Sequence, residues 1–365
     1  MSASLRITAP REGDVLTRQD GVESERNLTI TVSGTAPEGA AVRVNGRRAW
    51  GEGAVFTCDI PLDRKRNVIV AEAGDERDAL TVWWNKGSRK RYRFSVDDNI
   101  QFLKDLAAQP SDYRSLFDHW YLAFWREMHQ EFGAKIHLNI YYQTDGFDLV
   151  QMPDTWRDEW RENAHWLHLS FHALQDKPDR PYRHARYAQI AHDLDLVCGH
   201  IRRFAGDEVL SNTTTVHWAE CPKEAIRALR DRGIRQLIAL FNVQGYEGSC
   251  TTGYYHDRTR CAYCDTRGAW YDAETDLMFI RCTSVINAVA LDAIPTTLAA
   301  RTATPRTAEM VELLIHEQYF RKELDLYQPD VLEKVRAALR WVTERSYAPV
   351  FWGDGFLGTP DVPSD

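Results

Sequence analysis

No stretch of the 365 residues approaches the roughly 20 consecutive apolar residues that a membrane-spanning helix needs, so a spanning role is not expected. Sustained basic runs are also missing. Lys and Arg total 45 against 53 Asp and Glu, a formal charge of -8, which disfavours nucleic acid or an anionic membrane surface as the main partner. The opening MSASLRITAP has neither a basic n-region nor an apolar h-region, so no signal peptide is expected. The corresponding expectation is a cytoplasmic location, or a secreted one if a leader has been removed. Cysteine is sparse and irregular: seven residues, an odd number without paired spacing, fit a reducing compartment better than a disulfide framework. What the chain has in excess is aromatic. Twelve Trp and fifteen Tyr exceed ordinary core needs, and such a surplus also suits stacking against sugar rings.

Hydrophobic content of 44% and charged content of 27% describe an ordinary globular protein long enough for two domains. Two periodicities divide it. Residues 1–88 carry short alternating runs (NLTITVSG, AVFTCDIPL, NVIVAEA, ALTVWW) separated by turn residues, the pattern of an all-β sandwich of about seven strands. Asn45-Gly46 between two of these runs suits a type I′ hairpin, whose central residues both need positive φ. The pattern is similar to the immunoglobulin-like accessory modules of bacterial carbohydrate-active enzymes, and its residues offer no cluster of His, Cys or carboxylates. From residue 89 to 358 strand and helix alternate, beginning with YRFSV and ending with APVFW. Seven or so such units predict a multidomain chain whose second domain is α/β, a distorted (β/α)7 barrel with parallel strands inside and helices outside.

Parallel α/β folds keep their chemistry at strand C-termini. There the sequence repeatedly places polar residues. RYRFSVDDNIQFL ends its strand at Asp97-Asp98, WLHLSFHALQD at His172 with Asp176 four residues on, TTTVHWAE at His217, and VELLIHEQYF at His316-Glu317. Alone, an Asp pair between strand and helix reads as a turn with an N-cap. Three histidines and a carboxylate pair on one rim instead suit Zn²⁺, with Co²⁺ or Ni²⁺ also served by such donors.

The order of these segments resembles the polysaccharide deacetylase superfamily, of the carbohydrate esterase type, from about Arg91 to Trp352. FSVDD is similar to that family's strand-terminal T-F-D-D, the His172 segment to its histidine segment, and LLIHE to its final Leu-x-His. The resemblance implies Asp97 as general base, Asp98 as metal ligand and His316 as the acid that protonates the leaving group. It also implies a divalent metal, Zn²⁺ foremost, and an oligo- or polysaccharide substrate. Two departures matter. His168-x-x-x-His172 has the family's histidine spacing, but His168 lies inside the strand and about 13 Å from His172 along it, too far to share one ion. The expected ligand set is therefore Asp98 and His172 with Asp176 or His217, and His168 is expected to be buried beneath the site. The Arg-x-Pro motif of the family is replaced by Val216-His217-Trp218.

Tyr141, Tyr142 and Gln143 follow the second strand and are candidates to line the cleft. Trp218 and Trp352 end strands, where they either stack on a sugar or fill the core, and Glu317 completes the substrate-binding candidates. HEQYF fails as a zincin motif because Phe320 stands at the second histidine position. Cys250, His256, Cys261 and Cys264 offer a tetrahedral zinc knot in a loop, against the plainer reading of loop cysteines. The leading expectation is a metal-dependent carbohydrate deacetylase-like hydrolase. The rivals are a catalytically silent carbohydrate-binding protein on the same fold and a metal-assisted hydrolase or lyase of uronic-acid polysaccharides.

Overall fold

The structure is a computed structural model and describes residues 4–241 and 252–360. The chain forms two compact units. The first holds the chain up to Arg89 together with Ala269–Met278 and the segment from Gly355; the second holds Lys90–Gly268 and Phe279–Asp354.

In the first unit, alternation of side chains across extended backbone builds two sheets over one core. Leu28–Thr35 is the hub of one sheet, antiparallel to Arg6–Ala9, Gly21–Glu23 and Val55–Leu62. The other runs Val15–Leu16, Glu76–Trp84, Arg66–Ala73, Arg43–Val44, Arg47–Arg48. Leu28, Ile30, Val32, Ile60, Ile69 and Val82 meet in the shared core. Asn45 (φ 47°) and Gly46 (φ 77°) both take the positive φ that a type I′ turn demands. The pairings show a β-rich unit; its immunoglobulin-like assignment rests on the sequence pattern.

Seven of the described strands matter for the site: β1 (Arg91–Asn99), β2 (Ile136–Tyr141), β3 (Leu167–Ala173), β4 (Thr213–Thr214), β5 (Gln236–Ala239), β6 (Ser284–Val285) and β7 (Met310–His316), with further short strands beside them, among them Gln143–Thr144 and Phe147–Asp148. One parallel sheet has the order β3-β2-β1-β7-β6, and β4 pairs with β5 in parallel. Backbone bonds continue the pairing past both edges. Ser211 N–H donates to Leu169 in β3 at 3.0 Å, and Cys282 N–H donates to Ala239 in β5 at 2.8 Å. Two expected strands are shorter than their sequence runs. TTTVHW is extended only at β4 before a 3-10 turn at His217–Ala219, and APVFW only at Ala348–Pro349.

Strands of a buried parallel sheet usually read as continuous apolar runs. Here they do not. All nine residues of β1 are buried, yet Tyr92, Phe94 and Val96 alternate with Arg93, Ser95 and Asp97. Phe94 packs outward on Trp125 of the Trp120–Phe132 helix, with ring centroids 5.4 Å apart. The opposite face of β1 meets the polar residues His137 of β2 and Glu312 of β7. The sheet thus carries a polar inner face, and the site lies at its upper end.

Candidate metal centre

Strand alternation would send Asp97 and Asp98 to opposite faces of β1. The register of β1 on β2 shifts between Val96 and Asn99, and Asp98 takes a left-handed φ of 62°. A bulge of this kind re-aims a side chain, so both carboxylates line one cavity of about 470 Å³. Left-handed backbone recurs across it at Trp218 (φ 67°) and Ala219 (φ 47°), strain of the sort that clusters at functional sites.

Three donors converge there. His172 Nε2 lies 2.9 Å from Asp98 Oδ1, and His217 Nδ1 lies 3.2 Å from both of those atoms. Among the described residues this is the one group of three His, Cys or carboxylate donors packed closely enough for a metal ion. All three residues are buried. Four ligands about 2.0 Å from a tetrahedral zinc stand about 3.3 Å apart, close to the spacing seen.

The donor chemistry also asks for a cation. The Thr215 carbonyl can only accept, so the His172 Nδ1 beside it carries the hydrogen; a protonated ring then donates from Nε2 to Asp98, whereas a neutral ring would turn its Nε2 lone pair on it. Two lone-pair atoms 2.9 Å apart need a proton or a metal ion between them. Burial would raise the Asp98 carboxyl, but hydrogen bonds from His172 and His217 hold it well below the usual carboxylate range. Burial would lower His172, but the charge of Asp97 and the bond to Asp98 raise it. Tyr141 completes the cluster by donating its hydroxyl to Asp98 Oδ1, and burial followed by the Asp98 charge keeps that phenol protonated.

Asp176, one of the two expected third ligands, stands farther out. Its Oδ1 is 3.6 Å from His217 Nε2, and its side chain is 48% exposed. It therefore faces the far nitrogen of a ligand histidine, as orienting carboxylates do. Asp97 stands beside the cluster without joining it; its Oδ1 accepts from Asn139 Nδ2 at 2.5 Å. His316 lines the same cavity, with Nδ1 2.9 Å from Asn287 Oδ1.

The remaining candidates divide. Trp218 lines the cavity beneath the Arg180 guanidinium, 5.3 Å from its ring centroid. Tyr141 belongs to the cluster itself. Tyr142 instead packs on His200 at 5.7 Å. Glu317, expected at the substrate, is fully buried and caps the helix α1 (Gln101–Ala108), accepting from the N–H groups of Ile100, Gln101 and Phe102 at 2.7 to 2.9 Å. Trp352 is core, its Nε1 donating to Glu312 at 2.6 Å. His168 is only partly buried, at the lower end of β3, stacked on Phe351 with centroids 3.6 Å apart. Of the candidate zinc knot, His256, Cys261 and Cys264 are buried, and Cys250 lies outside the described residues.

A second cavity of about 740 Å³ shares Asp98, Asp176, Lys177 and Gln318 with the first and is lined also by Gln101, Gln143, Gln151 and Gln175. Gln143 lines this cavity, as its place after the second strand implies, whereas Asn139, Asn287, Gln101, Gln151 and Gln175 escape motif reasoning. The signal for Asn139 was present in the sequence as a polar residue at every second position of strands that should be apolar.

No family model matches the sequence, and no curated protein matches it. Similar solved structures include the 4-alpha-glucanotransferase of Thermococcus litoralis (TM-score 0.46, 11% identity), where the likeness covers 72% of this chain but only 39% of that one. A polysaccharide-deacetylase-type protein of Mycobacterium smegmatis scores 0.42 at 12% identity, covering 72% of this chain and 85% of its own. A carbohydrate deacetylase scores 0.34 at 7% identity over 89% and 64%. The chemistry of the site is read from its own atoms.

Proposed function

We propose that the second unit is a metal-dependent hydrolase that removes an acyl group from an amino sugar or sugar ester. The observation that carries this reading is the pairing of a buried carboxylate and two imidazoles with a second carboxylate, Asp97, beside them but held separately. A divalent ion on Asp98, His172 and His217 would lower the pKa of water towards neutrality and polarise the acyl carbonyl. Asp97 accepts the proton of the attacking water. Asn287 Oδ1 accepts from His316 Nδ1–H, so the second proton of the protonated ring sits on Nε2 and is the one passed to the departing amine or alcohol, leaving the ring neutral. Tyr141 and the Thr215 carbonyl fix Asp98 and His172 in one orientation. Amide side chains in the adjoining cavity match the donors and acceptors of sugar hydroxyls, and Trp218 offers a ring face at the site.

The test combines metal analysis with turnover. Protein loaded with Zn²⁺, Co²⁺ or Ni²⁺ should retain about one ion per chain and release acetate from a panel of acetylated oligosaccharides, with chelation abolishing release and metal restoring it. Protein that retains no ion sinks the reading. Retained metal and bound oligosaccharide without acetate favours the silent binding protein instead.

A further inference from the structure

We propose that Arg93, His137, Ser170 and Asn139 form a one-way chain of hydrogen-bond donors that orients Asp97. The proposal rests on the reading of Asp97 as the base, and it adds four positioning residues beneath the site.

The direction of each link is forced by chemistry. A guanidinium has donors and no acceptor, so Arg93 Nη1, 2.5 Å from His137 Nδ1, donates to it. His137 Nδ1 then carries the lone pair, and the proton of the neutral ring sits on Nε2, 2.8 Å from Ser170 Oγ. Burial, with the Arg93 charge behind it, holds His137 well below its ordinary pKa and so keeps that ring neutral. Ser170 accepts from His137 and gives its one proton to Asn139 Oδ1 at 2.5 Å. That leaves Asn139 Nδ2 facing Asp97 Oδ1, at 2.5 Å. No link can reverse, because Arg93 cannot accept and a carboxylate acting as base has no proton to give.

The lower end is anchored by buried hydrogen bonds. Glu312 accepts from Arg93 Nε at 2.9 Å and Nη2 at 2.7 Å, from Ser95 Oγ at 2.8 Å and from Trp352 Nε1 at 2.6 Å. Arg93, His137, Asn139 and Glu312 are fully buried. Strand register builds the ladder, since Ser95 pairs with His137 across β1 and β2, and Asn139 with Ser170 across β2 and β3. Its consequence is local. Asp97 Oδ1 is engaged from below, and among the described residues no donor engages Oδ2, the oxygen left for the proton of water. None of the four residues is a metal ligand.

Two measurements on the zinc-loaded protein test this. In protein carrying ¹⁵N-histidine, His137 should show the neutral Nε2–H tautomer at neutral pH. Ser170→Ala should lower kcat by about 10- to 100-fold, as loss of an orienting partner does, with zinc content and KM retained. Asn139→Ala should do the same, and Ser170→Thr, which keeps the hydroxyl, should recover most of the rate. An Nδ1–H tautomer overturns the chain. So does an active wild type in which Ser170→Ala and Asn139→Ala both keep kcat within about twofold. A wild type that releases no acetate sinks the hydrolase reading alone. The tautomer, and the Asp97 rotamer in a crystal of Asn139→Ala, then decide the chain.

Discussion

Asp98 sits at φ 62°, a conformation that Asp and Asn enter more readily than other side-chain-bearing residues. Asp98→Asn therefore keeps the bulge while removing the anion between two histidines, and metal affinity and activity should fall together. Asp97→Asn leaves the three donors untouched. It should retain zinc while kcat falls by roughly two to four orders of magnitude. Metal titration and acetate release on both variants separate the roles. An active Asp97→Asn enzyme would remove Asp97 from the chemistry. The alternative role as helix cap is already occupied, because the N-cap position of α1 is Ile100 and the first N–H groups are taken by Glu317.

That cap ties two elements together. Glu317 follows β7 and reaches the N-terminus of α1, where burial pushes its carboxyl up to about 7 against the three N–H bonds and the helix dipole, both of which favour the charged form. Glu317→Ala would leave three N–H groups of the first helical turn without their acceptor, two of them buried, so it should lower stability by about 2–4 kcal/mol. Urea unfolding of the zinc-loaded protein measures this, and a loss below about 0.5 kcal/mol would mean that water or another group replaces the carboxylate. Sequence reasoning placed Glu317 at the substrate because it sees strand ends but not which way a 3-10 turn carries the next side chain. The alternation of strand and helix was legible, as were Asp98, His172 and His217 as strand-end donors, because period and position carry that information. Choosing between Asp176 and His217 was not, since it depends on a turn at His217–Ala219 with left-handed backbone at Trp218. Nor was the interior ladder, whose residues read singly as ordinary polar substitutions until register sets Asn139 beside Ser170.

At the scale of the molecule, the first unit is made from three pieces of chain, and this changes what truncation should do. Trp270 and Tyr271 are 4% and 5% exposed. Their partners lie in the N-terminal segment of the same unit. Trp270 Nε1 donates to Glu12 O and Tyr271 N–H to Gly13 O, each at 2.8 Å, and the Tyr271 ring lies 4.9 Å from that of Trp83. A cut at residue 89, which sequence periodicity invites, removes every one of these partners. Two large aromatic side chains, each burying about 150–250 Å², would then face water together. An exposed apolar patch of that size drives association. The fragment 90–354 should therefore elute as aggregate in size-exclusion chromatography. The same fragment with Trp270→Ser and Tyr271→Ser should elute as a discrete species and bind zinc, because none of the metal donors lies in the first unit. If the unmodified fragment is itself soluble and holds its zinc, the Ala269–Met278 segment is not what the N-terminal sheets protect.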